Sequence, residues 1–176
     1  MLKKVVAVLL IGVIAITSGC NSKKTELPED YSFSLTWGVN GISSYDSNTG
    51  KLVKTSHATN PEDYITTHVL TEDESDEIKT LLEGLDLYVY PKEYDPFNAP
   101  NSEKHIMSCP SQNIILTVNI DGKMIEIKAI DISLSGESAG YNSDARAFLK
   151  TVYRIEEILQ DTDEWKALPE YEFLYD

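Results

Sequence analysis

The stretch Asn113–Ile132, NIILTVNIDGKMIEIKAIDI, constrains the fold more than any other part of the chain. Asp121-Gly122 is a pair favoured by two-residue type I′ turns, where both central positions need positive φ. Placing the turn there sets the register of both flanking strands. Ile120 then faces Lys123, Val118 faces Ile125, Leu116 faces Ile127 and Ile114 faces Ala129. Apart from Lys123 at the tip, that face is apolar, and Thr117, Asn119, Glu126 and Lys128 fall on the other. A slip of one residue would turn every side chain over, so one turn choice that sorts both strands is good support for the register.

Two segments carry helical spacing. In LTEDESDEIKTLLEGL, Thr71 is an N-cap and Glu74, three residues on, completes a capping box. Ile78, Leu81, Leu82 and Leu85 follow on one face, and Gly84 marks the stop. A longer helix starts near Ser143 with the stripe Ala145, Phe148, Leu149, Val152, Ile155, Ile158 and Leu159. TDEWKALP adds a short turn that Pro169 ends, and the tail EYEFLYD is expected to lie extended against the body. Phe33, Leu35, Trp37 and Val39 alternate with polar residues or glycine, which is a strand with one buried face. It either turns at Asn40-Gly41 and runs back through Ile42–Tyr45, or continues with a bulge to the turn at SNTG. Tyr64–Leu70, YITTHVL, reads as a further strand. Two helices on one face of a mainly antiparallel sheet bury both stripes, so the expected class is α+β.

The region Tyr88–Gln112 has four prolines and little periodicity and reads as the longest loop. Its aromatic residues Tyr90, Tyr94 and Phe97, with Glu93 and Asp95, suit sugars, peptides or cationic ligands. Such rings also serve as lids over a sheet edge, so both roles stand at this point. His105 and Cys109 in HIMSC would share a face on a helix, but Pro110 argues against one there. The calcium-loop pattern begun by Asp46 and Asn48 fails at Lys51 and His57, leaving a hairpin turn. No nucleophile elbow, phosphate loop or zinc-protease motif occurs. No catalytic residue, metal ligand or cofactor is therefore assigned.

The amino terminus carries a different signal. Met1-Leu2-Lys3-Lys4 is basic, and Val5–Ile16 contains no polar residue. As a helix this run rises about 18 Å, well short of a ~30 Å hydrocarbon core. Ser18 and Gly19 then precede Cys20, completing the basic, apolar and small-residue pattern of a secretory signal. The segment AITSGC resembles the lipobox of bacterial lipoprotein precursors, departing from it at Thr17, where Leu is usual. The resemblance implies cleavage before Cys20, a diacylglyceryl thioether on its thiol, and acylation of the new amino terminus. Two acyl chains make a stable anchor where one is marginal. The mature chain also resembles small bacterial lipoproteins that share SLTWG, SSYD, TGKLVKT and DEWKALPEYEFLY, a group that carries no activity to transfer.

The expected organisation is a signal peptide over 1–19, a lipidated Cys20 with a polar tether to residue 30, and one extracytoplasmic domain over 31–176. With Cys20 acylated, Cys109 has no partner in the chain, so the domain relies on its core. Cleavage takes the formal charge from −14 to −16 by removing Lys3 and Lys4, which repels phosphate backbones and disfavours nucleic acid as a partner. The functional expectation is a membrane-anchored, non-enzymatic domain that binds a ligand or protein partner at the envelope surface. The alternative is an envelope hydrolase using carboxylates or the His105/Cys109 loop.

Overall fold

A computed structural model describes residues 26–94, 111–133 and 143–172. Strands β1 (Ser32–Trp37), β2 (Ser43–Asp46), β3 (Lys51–Val53) and β4 (Ile65–Thr67) precede helix α1 (Glu72–Glu83). Then come β5 (Glu93–Tyr94), β6 (Ser111–Ile120), β7 (Lys123–Ser133), α2 (Ser143–Gln160) and the short α3 (Asp163–Ala167). Among the described residues, these strands form one sheet in the order β4-β3-β2-β1-β6-β7-β5. Each described pairing is antiparallel except β5 with β7. The architecture is α+β.

The β6–β7 hairpin has the register read from Asp121-Gly122. Leu116 pairs with Ile127 and Val118 with Ile125, and both turn residues have positive φ, 50° and 74°. A bulge between Gln112 and Ile114 extends the pattern. There Asp131 takes φ 57°, and its N–H donates to Asn113 Oδ1 at 3.2 Å. The extra residue keeps Asp131 exposed and turns Ile132 into the core.

The inward row Leu52–Tyr45–Leu35–Leu116–Ile127 crosses five strands, and every member is buried. Ile78, Leu82 and Leu85 from the α1 side and Phe148, Val152, Ile155 and Leu159 of α2 close over that face. The other face carries Ser34, Thr36, Ser44 and Thr117, all partly exposed. Both capping-box hydrogen bonds of α1 are present, with Thr71 accepting from the Glu74 N–H. Gly84 ends the helix in right-handed rather than left-handed geometry (φ −69°).

The first strand turns at Asn40-Gly41, where both residues have positive φ, so β2 runs back as the first of the two readings had it. Tyr64–Leu70 is less regular than its composition suggests. Tyr64 closes a 3-10 turn (Pro61–Tyr64), and only Ile65–Thr67 pair with β3. Packing begins four residues before Tyr31: Leu27 joins the core and its N–H donates to Glu83 Oε1 at 3.2 Å. Gly50 is fixed by close approach, since a Cβ there would meet the His68 carbonyl at 2.8 Å.

Candidate functional site

Polar groups are buried mainly at one end of the sheet, where β2, β3 and β4 meet α3. The Lys54 N–H donates to the Tyr64 carbonyl (2.9 Å), and Ser43 Oγ donates to the Lys54 carbonyl (2.6 Å). Trp37 pairs with Ser43 across β1–β2, so this last inward row runs Tyr64, Lys54, Ser43, Trp37. Trp165 of α3 stacks on Trp37 with centroids 5.7 Å apart. The Lys54 ammonium lies 5.6 Å from the Trp165 ring and 5.4 Å from the Tyr171 ring, in cation–π range. Lys54 is only 5% exposed, and its hydrogen bond is a long one to the Leu168 carbonyl (3.5 Å). Burial pushes the Tyr171 phenol up, partly offset by a hydrogen bond with Ser43.

Beside this row, His68 is clamped by two carboxylates. Its Nε2 lies 3.1 Å from Glu74 Oε2 and its Nδ1 lies 3.1 Å from Glu164 Oε2. Carboxylates only accept, so the geometry is satisfied when both ring nitrogens carry protons. Glu74 Oε2 also accepts from the Thr71 N–H (2.8 Å) and hydroxyl (2.9 Å). Burial raises the Glu74 carboxyl, but the Thr71 and His68 contacts outweigh it and leave the pKa below its usual value. The two carboxylates bind opposite edges of the ring, so they tie β4, α1 and α3 together and do not converge on one ion. Among the described residues no group of three or more His, Cys, Asp or Glu is arranged to hold a metal.

On α2, burial pushes the Glu156 carboxyl up to about 7, against a hydrogen bond from Gln160 (3.0 Å).

A cleft of about 330 Å³ opens between the β2–β3 turn and the first turn of α1. Tyr31, Phe33 and Tyr45 form its aromatic floor, with Asn48, Glu29 and Ser75 at the rim. Burial pushes both the Tyr31 and the Tyr45 phenols up to about 12, so both stay neutral. Tyr45 donates its proton to the His68 carbonyl (3.1 Å), and Tyr31 shares a hydrogen bond with Ser75. The floor offers a ligand ring faces and phenol oxygens. Asp46 shapes the neighbouring turn by accepting from the Thr49 N–H (3.0 Å) and hydroxyl (3.2 Å), in agreement with a turn rather than a calcium loop. A second groove, about 520 Å³, lies between α1 and α2 over Leu81, Leu85 and Tyr153.

Of the aromatic residues singled out from the sequence, Tyr90 and Tyr94 line neither cleft. Tyr94 is 7% exposed and meets Phe148 edge-on at 6.0 Å. Tyr90 packs on both, and its hydroxyl donates to the Asp144 carbonyl (2.9 Å). These two rings seal the β5 edge against α2. Phe97, His105, Cys109 and Cys20 lie outside the described residues. Sequence reasoning missed Lys54, the His68 clamp and the Tyr31–Tyr45 cleft. One half of the clamp had a signal, because a capping box turns its Glu74 side chain back toward the residues preceding the helix. Glu164 is 96 residues from His68 and had none.

Comparison with protein-family models, with curated proteins and with solved structures finds no match to this chain.

Proposed function

We propose that the chain is an envelope lipoprotein, cut before Cys20, acylated there, and displaying a non-enzymatic binding domain on the extracytoplasmic face of the membrane. The anchor rests on the basic start, the short apolar run and the small residues before Cys20. Seven residue steps separate Cys20 from the packed Leu27, a reach of at most about 25 Å. The domain is thus held close to the bilayer, with the cleft near the tether by way of Glu29 and Tyr31.

The observation that carries the binding reading is that cleft. An aromatic floor with two neutral phenols, and Glu29 at the rim beside its Lys79 partner (2.8 Å), make a polar-edged aromatic site in an acidic chain. Such a lining favours a small ligand rich in donors, an ammonium or a polyol.

The test has two parts. Mass spectrometry of the membrane fraction should find an acylated amino terminus at Cys20; a chain still starting at Met1 removes the anchor. Calorimetric titration with spermidine and with an N-acetylglucosamine oligomer should show saturable binding of one of them, abolished by Val69→Trp. Val69 is 79% exposed at the cleft, so the larger ring fills the mouth without disturbing the core. No saturable binding of either probe removes the cleft as the site.

A further inference from the structure

The segment that follows α3, Leu168 to Glu172, crosses the buried end of the sheet. In its contacts with Lys54, Tyr64 and Thr59 the body donates and the segment accepts, while Tyr171 and Ser43 share one further hydrogen bond. Lys54 Nζ donates to the Leu168 carbonyl (3.5 Å) and Tyr64 Oη to the Glu170 carbonyl (3.0 Å). The Thr59 N–H (3.0 Å) and hydroxyl (2.8 Å) both donate to Glu172 Oε2. Between these points the Tyr171 ring lies against the Lys54 ammonium. A chain with 29 acidic residues and 15 basic ones thus presents a row of donors along one groove.

One group beneath the segment is poorly satisfied, and a second lies behind Trp165. Lys54 is buried with one long hydrogen bond and two ring faces, and among the described residues it has no carboxylate partner. The Trp37 Nε1–H, in the ring stacked on Trp165, is buried with no hydrogen-bond partner among the described residues. Buried donors in this condition are costly, and an anionic occupant would relieve the cost. The segment itself is lightly held. Pro169, Glu170 and Glu172 are exposed, and among the described residues no strand ladder ties it to the sheet. Such stretches open at low free energy.

We infer that this groove is a recognition site for an extended acidic peptide with an aromatic residue next to a carboxylate, and that Leu168–Glu172 is its resident, displaceable occupant. Main-chain carbonyls give affinity, and the Tyr171 and Glu172 side chains give specificity, as in other sites that hold extended peptides. The site is separate from the Tyr31–Tyr45 cleft and does not depend on what that cleft binds. A competing segment must match the occupant's chemistry and outcompete a strap held at its own high effective concentration.

The chain's two tryptophans, Trp37 and Trp165, both lie at this site, so intrinsic fluorescence reads it directly. The probe is the blocked peptide LPEYE, with LPKYK as its charge-reversed control. A chain ending at Ala167 should bind LPEYE and not LPKYK, with a change in tryptophan emission. The full chain should bind LPEYE at least about tenfold more weakly, because its own strap competes. Full-length Glu172→Lys, which loses both Thr59 contacts, should recover much of that affinity. A truncated chain with native circular dichroism that ignores LPEYE, or that binds LPKYK equally well, overturns the inference. Where the truncated chain does not fold, the full-length pair decides, and no gain in LPEYE affinity for Glu172→Lys overturns it as well.

Discussion

Around the β6–β7 hairpin and α2 the interior is almost wholly apolar: Ile114, Leu116, Ile127, Phe148, Val152 and Ile155 are each at most 1% exposed. At the β2–β4 end, where α3 and the C-terminal strap close the molecule, Ser43, Lys54, Thr55, His68 and Thr162 are buried instead. The first region draws its stability from area removed from water, which has no direction and tolerates no voids. The second depends on hydrogen bonds and charges that must all be met, and a partly met network opens easily. The same sheet thus has an apolar end and a polar end, and the polar end is expected to open first.

The largest effect should come from the apolar end. Phe148→Ala leaves a hole under Tyr90 and Tyr94 and is expected to cost about 3–5 kcal/mol in chemical denaturation. At the other end His68→Ala leaves Glu74 and Glu164 without their shared donor. It should cost about 2 kcal/mol, less than a fully buried pair because the Glu164 side chain is 43% exposed. An equal or greater loss than Phe148→Ala would erase the distinction between the two ends. Lys54→Met should leave stability unchanged or raise it by about 1 kcal/mol, since an apolar side chain of similar length replaces a poorly paired buried ammonium. The same change should loosen the strap, seen as faster chymotryptic cleavage after Tyr171.

Glu156 gives the contrast a pH dependence. Its carboxyl is raised from 4.5 to about 7, so between those values the folded chain binds more protons than the unfolded one. Stability therefore falls as pH rises through that window. Glu156→Gln should raise the melting temperature at pH 8 and leave it unchanged near pH 4. The smallest effect is expected at the surface. Arg154→Ala removes exposed contacts to Glu77 (2.7 Å) and Glu157 (3.1 Å) and should stay within about 0.5 kcal/mol.

The apolar end is also the part that the sequence made legible. Alternation around Asp121-Gly122 and the spacing from Ala145 to Leu159 depend on near neighbours and a single apolar face, so local pattern carries them. Only the bulge at Asp131, opposite Asn113, was hidden, because it answers to the position of Ile132 in the finished core. The polar end obeys contacts distant in sequence. Lys54 meets Leu168 and Trp165, Tyr64 meets Glu170, and Thr59 meets Glu172, all across more than 100 residues. Nothing in KLVKT distinguishes a lysine bound for a buried aromatic box from one in solvent. Tyr90 and Tyr94 show the converse. A proline-rich, aromatic stretch looks like a surface in one dimension, yet the two-residue β5 draws Tyr94 beside Ala129 and into the core.

Native-state hydrogen exchange tests the unequal ends most directly. The amides of Ile115, Leu116, Thr117 and Val118 in β6, which is paired on both sides by β1 and β7, should exchange only through global unfolding, with protection equal to the full stability of the domain. The amides of Lys54, His68, Trp165 and Leu168 should exchange through a smaller opening, with protection lower by at least about tenfold. Equal protection at both ends would contradict the division and, with it, the basis for a strap that can leave its groove.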